Sequence, residues 1–194
     1  MTRIRSISVF CGSRTGEDAA FREATIRLGI ALARHGVRLI YGGGSIGLMG
    51  ILADTMLAAG GEVIGVIPDF LIRHEVGHHR LTDLLVTGSM HDRKRRMFEL
   101  AEGFVVLPGG LGTLDETIEI LTWKQLRLHD RPIVFLDVNG YWQPLLSLVR
   151  AVIDQGFAHP AIADLYSVVT DPEEVFAALA SAPAPSAEVL TSHL

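Results

Sequence analysis

Cysteine is almost missing from this chain: Cys11 is the only one in 194 residues. A lone thiol excludes an internal disulfide and any cysteine-based zinc cluster. Lysine is nearly as scarce, with Lys94 and Lys124 the only two. Pyridoxal-phosphate chemistry needs a lysine as its Schiff base. Lys94 is the candidate, because it sits in a cationic run that could depress its pKa. Positive charge is not in excess either. The formal net charge of −5 argues against a general nucleic-acid or membrane-surface binder. No apolar run is long enough to span a bilayer, and Met1-Thr2-Arg3-Ile4-Arg5 leads straight into a strand-like run. The expectation is a cytoplasmic protein with no membrane contact.

What the chain does have is apolar residues, 48% of the total, enough for one sizeable core. They fall into short runs that alternate with helical patterns. Strands are expected at 6–11, 37–41, 62–67 (stopped by Pro68), 104–107, 133–138 and 166–169. Helices are expected at 18–34, with Phe21, Ile26, Ile30 and Leu32 on the apolar side, and up to Gly60-Gly61. Further helices are expected at 90–101, 118–126 and 141–153, and one starts around Pro172. Residues 69–88 read as irregular, and the proline-alternating segment 182–194 as a disordered tail. Apolar strands alternating with helices indicate an α/β fold, a parallel sheet covered on both faces. Residues 1–181 are then one domain. Ligands bind such folds at the carboxyl ends of the strands. All three glycine turns, Gly12, Gly42 to Gly47 and Gly109 to Gly112, fall at strand ends and are expected to share one rim.

The third of these turns is the most informative. Leu107-Pro108-Gly109-Gly110-Leu111-Gly112-Thr113-Leu114-Asp115-Glu116 joins a strand end to a helix start. Glycines let backbone approach a ligand closely, and the first amides of a helix are unpaired donors at the positive end of its dipole. That combination is a phosphate seat, with the Glu116 carboxylate one turn inside it. Thr113-x-x-Glu116 also matches a capping box, which needs no ligand. A cap accounts for the threonine and the glutamate but not for the three glycines.

Weaker patterns need weighing. Gly42-x-Gly44-x-x-Gly47 matches the dinucleotide fingerprint, but Glu62 lies at the start of the next strand, whereas an acid is expected near its end. That end offers only Pro68-Asp69, and the turn follows the second strand, not the first. His74-Glu75-x-x-His78 matches the zinc-protease pattern, but Gly77 weakens the helix that pattern requires. Gly43-x-Ser45-x-Gly47 matches a nucleophile elbow, with His159 or His193 as nominal partners. Met90-His91-Asp92-Arg93-Lys94-Arg95-Arg96-Met97 is a basic run on a helix, in which Arg93 shares a face with Arg96 or Met97 and the other cations are solvated.

In combination these motifs are more specific. Gly42-Gly43-Gly44-x-x-Gly47-Leu48-Met49-Gly50, Met90-His91-x-Arg93-Lys94 and Pro108-Gly109-Gly110-x-Gly112-Thr113-x-x-Glu116 occur in this order. Thr122-Trp123-x-Gln125-Leu126 and His129-Asp130-x-Pro132 follow. Over roughly 7–169 the sequence resembles the Lonely Guy family of cytokinin riboside 5′-monophosphate phosphoribohydrolases, often labelled "possible lysine decarboxylase". The resemblance implies a Rossmann-like fold in a homodimer that needs no metal or organic cofactor. It implies cleavage of the N-glycosidic bond of N6-substituted adenosine 5′-monophosphates, giving free base and ribose 5-phosphate. By position, Arg93 and Glu116 match the family's catalytic residues. Glu75, Lys94, Gly109, Gly110, Gly112, Thr113 and Thr122 match its substrate-binding positions. The contrasting expectation is a non-catalytic nucleotide or cofactor carrier on the same fold.

Overall fold

The computed structural model describes residues 4–72 and 77–182. Its frame is a sheet of seven strands: β1 (Ser6–Phe10), β2 (Arg38–Tyr41), β3 (Val63–Pro68), β4 (Asp83–Thr87), β5 (Gly103–Val106), β6 (Ile133–Leu136) and β7 (Ser167–Val169). The spatial order is β4-β3-β2-β1-β5-β6-β7, and every pairing is parallel.

Alternation along the buried strands divides the core in two, because successive side chains point to opposite faces. On one face Ile7, Val9, Leu39, Val105 and Val134 meet α1 (Ala19–Arg34), α2 (Gly47–Ala58) and α7 (Val175–Ser181). On the other, Phe10, Ile40, Val66, Phe104 and Phe135 meet α4 (Met90–Leu100), α5 (Leu111–Gln125) and α6 (Gln143–Asp154). Both faces are covered, as the uniformly apolar strands require.

The structure revises several sequence-based expectations. The stretch 69–88 is not irregular: it contains the short helix α3 (Asp69–Ile72) and the edge strand β4. β4 pairs with β3 from Ile64↔Asp83 to Pro68↔Thr87, so Pro68 ends β3 inside the ladder. Only one side of β4 is paired and Val86 is exposed, which is why Asp83-Leu84-Leu85-Val86-Thr87 lacks the apolar signature of a central strand. In α1 the inward side is Ala24, Leu28, Ala31 and Leu32, while Ile30 faces outward. Helix α5 begins at Leu111 rather than at 118, so two of the motif's residues, Gly112 and Thr113, lie within its first turn. Segment 183–194, read as a tail, lies outside the described residues.

The strand order sets the place of the site. Strands β1 to β4 extend one way, and the chain then crosses back so that β5 lies on the other side of β1. The crevice of a doubly wound sheet opens at this reversal, beyond the carboxyl ends of the two strands. The Gly12 amide donates to the Pro108 carbonyl there (3.0 Å) and the Met49 amide to the Gly12 carbonyl (3.3 Å), so the three glycine turns interlock.

Gly47 shows how tightly. Its φ is +63°, and a Cβ there would lie 2.2 Å from the carbonyl carbon of Ser13. Gly60 has a similar φ, +75°, but nothing within 4 Å of its Cβ position. Gly60→Ala is expected to cost about 1–2 kcal/mol for left-handed backbone alone. Gly47→Ala adds overpacking and is expected to cost roughly 3 kcal/mol or more. Urea denaturation of the two variants measures the difference, and equal costs would contradict the interlocked turns.

Lys124 closes the inward face of α5 and is fully buried. Its Nζ has no hydrogen-bond partner among the described residues. Burial pulls the amine down to about 8. The folded chain therefore resists the proton that the unfolded chain accepts, and stability falls as pH drops from 10.5 through about 8. Lys124→Met is expected to raise stability at pH 7 by about 1–3 kcal/mol. The advantage should vanish above pH 10.5, which denaturant titrations across that range would read.

Candidate active site

The turn after β5 is held from three sides. Gly109 has no room for a side chain, because its Cβ position lies 2.1 Å from the Thr113 hydroxyl oxygen. The Tyr141 hydroxyl donates to the Gly109 carbonyl at 2.5 Å. Gly110 is the N-cap of α5 and supplies no side-chain cap. The capping-box alternative is therefore not realised. Thr113 is inside the helix, where its carbonyl accepts from the Thr117 hydroxyl at 2.6 Å, and Glu116 turns inward.

Glu116 lies in a cavity of about 180 Å³ that it shares with Cys11, Ser13, Arg93, Gly112 and Thr113. Its side chain is 11% exposed, and Arg93 Nη2 stands 3.8 Å from its Oε1. The guanidinium is anchored by backbone: Nε donates to Val66 O (3.2 Å) and Nη2 to Gly42 O (3.3 Å). A Cβ at Gly42 would lie 2.0 Å from that same nitrogen. The glycines at 42 and 47 thus answer to Arg93 and to the Ser13-Arg14 backbone, not to a dinucleotide.

Lys94 stands on the next position of α4 and reaches a different place. Its Nζ is 3.1 Å from both Asp115 and Glu119 on α5. Burial opposes its charge, but the two carboxylates outweigh that and hold the amine above its ordinary value. The expected depression for Schiff-base chemistry does not occur, because these acids rather than the neighbouring cations set the local field. Arg95 and Arg96 pair with Asp92 and Glu99 on the exposed side of α4, while Arg93 and Met97 are buried on the other.

Burial raises the Glu116 carboxyl to about 7, against the pull of Arg93 and with a further push from Asp115. The Cys11 thiol beside it is pushed far up by burial and by Glu116. The cavity therefore holds a carboxyl poised between its acid and base forms near neutrality, a fixed guanidinium, and unpaired amides at a helix start.

The sequence-derived set is only partly gathered here. Arg93, Gly110, Gly112, Thr113 and Glu116 line the cavity, and Gly109 supports it from behind. Lys94 adjoins it through Asp115 and Glu119. Thr122 lies elsewhere: its hydroxyl donates to Ile118 O on the exposed side of α5. Glu75 and His74 fall outside the described residues. His78 is buried with its Nε2 3.1 Å from Asp54 Oδ1. His159 caps the turn Pro160–Asp164 through its Nδ1. Cys11, Ser13, Met49 and Glu119 were missed as site residues. The signal for the first two was their place beside Gly12, at the end of β1.

A family model described as "Possible lysine decarboxylase" matches residues 49–179. The chain belongs to this family, the Lonely Guy family. It is 44% identical over 178 residues to a cytokinin riboside 5′-monophosphate phosphoribohydrolase of Rhodococcoides fascians, covering 91% of this chain and 90% of the relative. It is 40% identical to one from Arabidopsis thaliana, covering 82% of this chain and 75% of the relative. Among solved structures, the molybdenum cofactor carrier protein of Chlamydomonas reinhardtii superposes with a TM-score of 0.68 at 26% identity, covering 92% of this chain and 97% of that one.

The raised carboxyl has a thermodynamic signature. Below pH 4.5 Glu116 is neutral whether the chain is folded or not. Between 4.5 and about 7 the unfolded chain releases a proton that the folded chain keeps, so Glu116 costs stability as pH rises through that window. Relative to Glu116→Gln, wild type is expected to lose stability across this interval and to keep a constant gap above it. Thermal melts of both proteins from pH 4 to 8 would measure this, and parallel profiles would rule out the raised carboxyl.

Proposed function

We propose that this chain hydrolyses the N-glycosidic bond of adenosine 5′-monophosphates, including N6-substituted ones of the cytokinin type, to free base and ribose 5-phosphate. The observation that carries the reading is a buried carboxylate, Glu116, one helical turn inside a glycine-rich helix start and 3.8 Å from a fixed guanidinium. The names of the relatives at 40–44% identity support the same substrate class.

Departure of the base leaves positive charge on the ribose C1′ and O4′. An ionised Glu116 stabilises that charge and accepts a proton from the attacking water, as carboxylates do in glycoside hydrolysis. The water oxygen bonds to C1′ and keeps one proton, and the C1′–N bond breaks. The released base takes up the proton that Glu116 gives back, directly or through solvent, so the carboxylate is regenerated. A carboxyl titrating near 7 suits this role at neutral pH. Arg93 holds Glu116 in place and favours its charged form. The 5′-phosphate at the amides of Gly110, Leu111 and Gly112 is remote from the bond that breaks, so its binding serves to position C1′. Lys94, by fixing Asp115 and Glu119, keeps the first turns of α5 in register with α4. Glu75 is assigned to base recognition by its place in the motif alone. No step requires a metal or organic cofactor.

The reading includes a cytoplasmic homodimer, with residues 1–181 as one catalytic domain. Leu111, Ile118 and Leu126 recur at helical spacing on the exposed side of α5, and Leu128 follows. Thr122 lies on the same stripe. A second copy covering it would remove this apolar surface, and Thr122 with it, from water. Among the described residues no helix is long and apolar enough to cross a membrane.

A carrier remains the contrasting reading, favoured by the likeness to the molybdenum cofactor carrier. A carrier uses the phosphate seat but has no need of a carboxylate where C1′ would lie. The test is adenine-base release from AMP and isopentenyladenosine monophosphate. Wild-type turnover is expected to rise as pH passes about 7, and Glu116→Gln is expected to lose at least a hundredfold in kcat while still binding nucleotide. Nucleotide binding without base release by wild type would favour the carrier.

A further inference from the structure

Charge around the cavity does not suit the ligand it is proposed to hold. Two cations, Arg93 and Lys94, stand against three carboxylates, Glu116, Asp115 and Glu119, and both cations are already committed to those acids. A phosphate monoester brings up to two further negative charges. The helix amides and dipole contribute about half a charge at most. An anion of this kind calls for another cation close to the start of α5.

Arg14 stands there. It belongs to the loop between β1 and α1, wedged between two glycine turns. The Cβ position of Gly12 is 2.9 Å from Arg14 O and 3.3 Å from Gly109 Cα, and that of Gly47 is 2.4 Å from Arg14 N. The loop backbone is thus fixed against the site by contacts that admit no side chains. Arg14 lines a second cavity, of about 190 Å³, together with Phe21, Tyr141, Gly109 and Gly110. This cavity meets the Glu116 cavity at Gly110, the N-cap of α5. Tyr141 is held at its wall by its bond to Gly109 O and by the edge of Phe21, with ring centroids 5.4 Å apart. Arg14 is exposed and makes no ion pair or hydrogen bond among the described residues.

Resting on the function proposed above, we propose that Arg14 is a specificity-determining residue that binds the 5′-phosphate from the β1–α1 loop, opposite the amides of α5, and so selects nucleoside monophosphates over nucleosides. A guanidinium is suited to the task because its planar donors pair with two phosphate oxygens at once. Placed on the side away from Glu116, it offsets the phosphate charge without adding a second cation at the reacting carbon.

The test separates phosphate recognition from turnover. Ribose 5-phosphate and adenosine are titrated calorimetrically into wild type, Arg14→Ala and Arg14→Lys. Ribose 5-phosphate affinity is expected to fall about ten- to hundredfold in Arg14→Ala, as for loss of a charged hydrogen-bonding partner. The loss should be partly restored in Arg14→Lys, while adenosine affinity stays within about twofold. With AMP as substrate the loss is expected in KM rather than kcat. Unchanged ribose 5-phosphate affinity in Arg14→Ala would overturn the proposal. So would an equal loss for adenosine, which would indicate a structural role, or a wild type that does not bind ribose 5-phosphate. Failure of wild type to release adenine from AMP would instead count against the reaction, and the ribose 5-phosphate titrations would still decide the role of Arg14.

Discussion

The guanidinium of Arg93 is the group on which the site depends. A buried charge is costly unless its donors are met, and here they are met by parts of the chain far apart in sequence. Val66 in β3 and Gly42 after β2 supply carbonyls, and Glu116 in α5 supplies a carboxylate. The side chain enters from α4, so three strand-to-helix units converge on one planar group. Much of the local sequence follows from that. A methyl group at position 42 would displace the guanidinium from its carbonyl partners. Met97, one turn on, must be apolar to carry the same face of α4 into the core.

The same arrangement explains why Glu116 titrates near neutrality and not with ordinary carboxylates. Burial is the largest influence, and Arg93, at 3.8 Å and shared with two carbonyls, offsets only part of it. A closer pair would lock Glu116 in its charged form, and an apolar neighbour would leave it neutral. At the observed spacing both forms are accessible, as the proposed role of Glu116 in proton transfer requires.

The sheet was largely legible in the sequence, because central strands of a parallel sheet are apolar throughout and their ends are marked by glycine. β5 and β6 are of that kind, and β1 and β2 come close, with Ser6 and Ser8 in the one and Arg38 in the other. β4 was not, since an edge strand is half exposed and Asp83-Leu84-Leu85-Val86-Thr87 is indistinguishable from a loop by pattern. The start of α5 is hidden for a related reason: Gly112 looks like turn, yet it sits within the first turn of the helix. Within the site, the motifs identified Arg93, Thr113 and Glu116, the cavity-lining residues whose types are chemically distinctive. Cys11 and Ser13 reach the cavity because β1 lies beside β5, and Met49 because the start of α2 bonds to the Gly12 turn; the glycine turns marked the shared rim, but not which of their neighbours face inward. Thr122 shows the opposite case, a residue singled out by motif that the fold leaves exposed on α5, away from the cavity.

The fold by itself does not separate a carrier from a hydrolase, because the glycine turns, the helix start and the crevice at the strand reversal serve any phosphorylated ligand. The difference lies in what stands one turn further in. A carrier is best served by groups that bind the ligand equally throughout its stay, whereas catalysis needs a group whose interaction strengthens as charge develops at the reacting atom. Glu116 is misplaced for the first purpose, since a carboxylate beside a phosphate seat repels the resting ligand. It is suited to the second, because the repulsion turns to attraction as C1′ becomes cationic. A costly buried acid, held beside a fixed guanidinium, is therefore better explained by turnover than by storage.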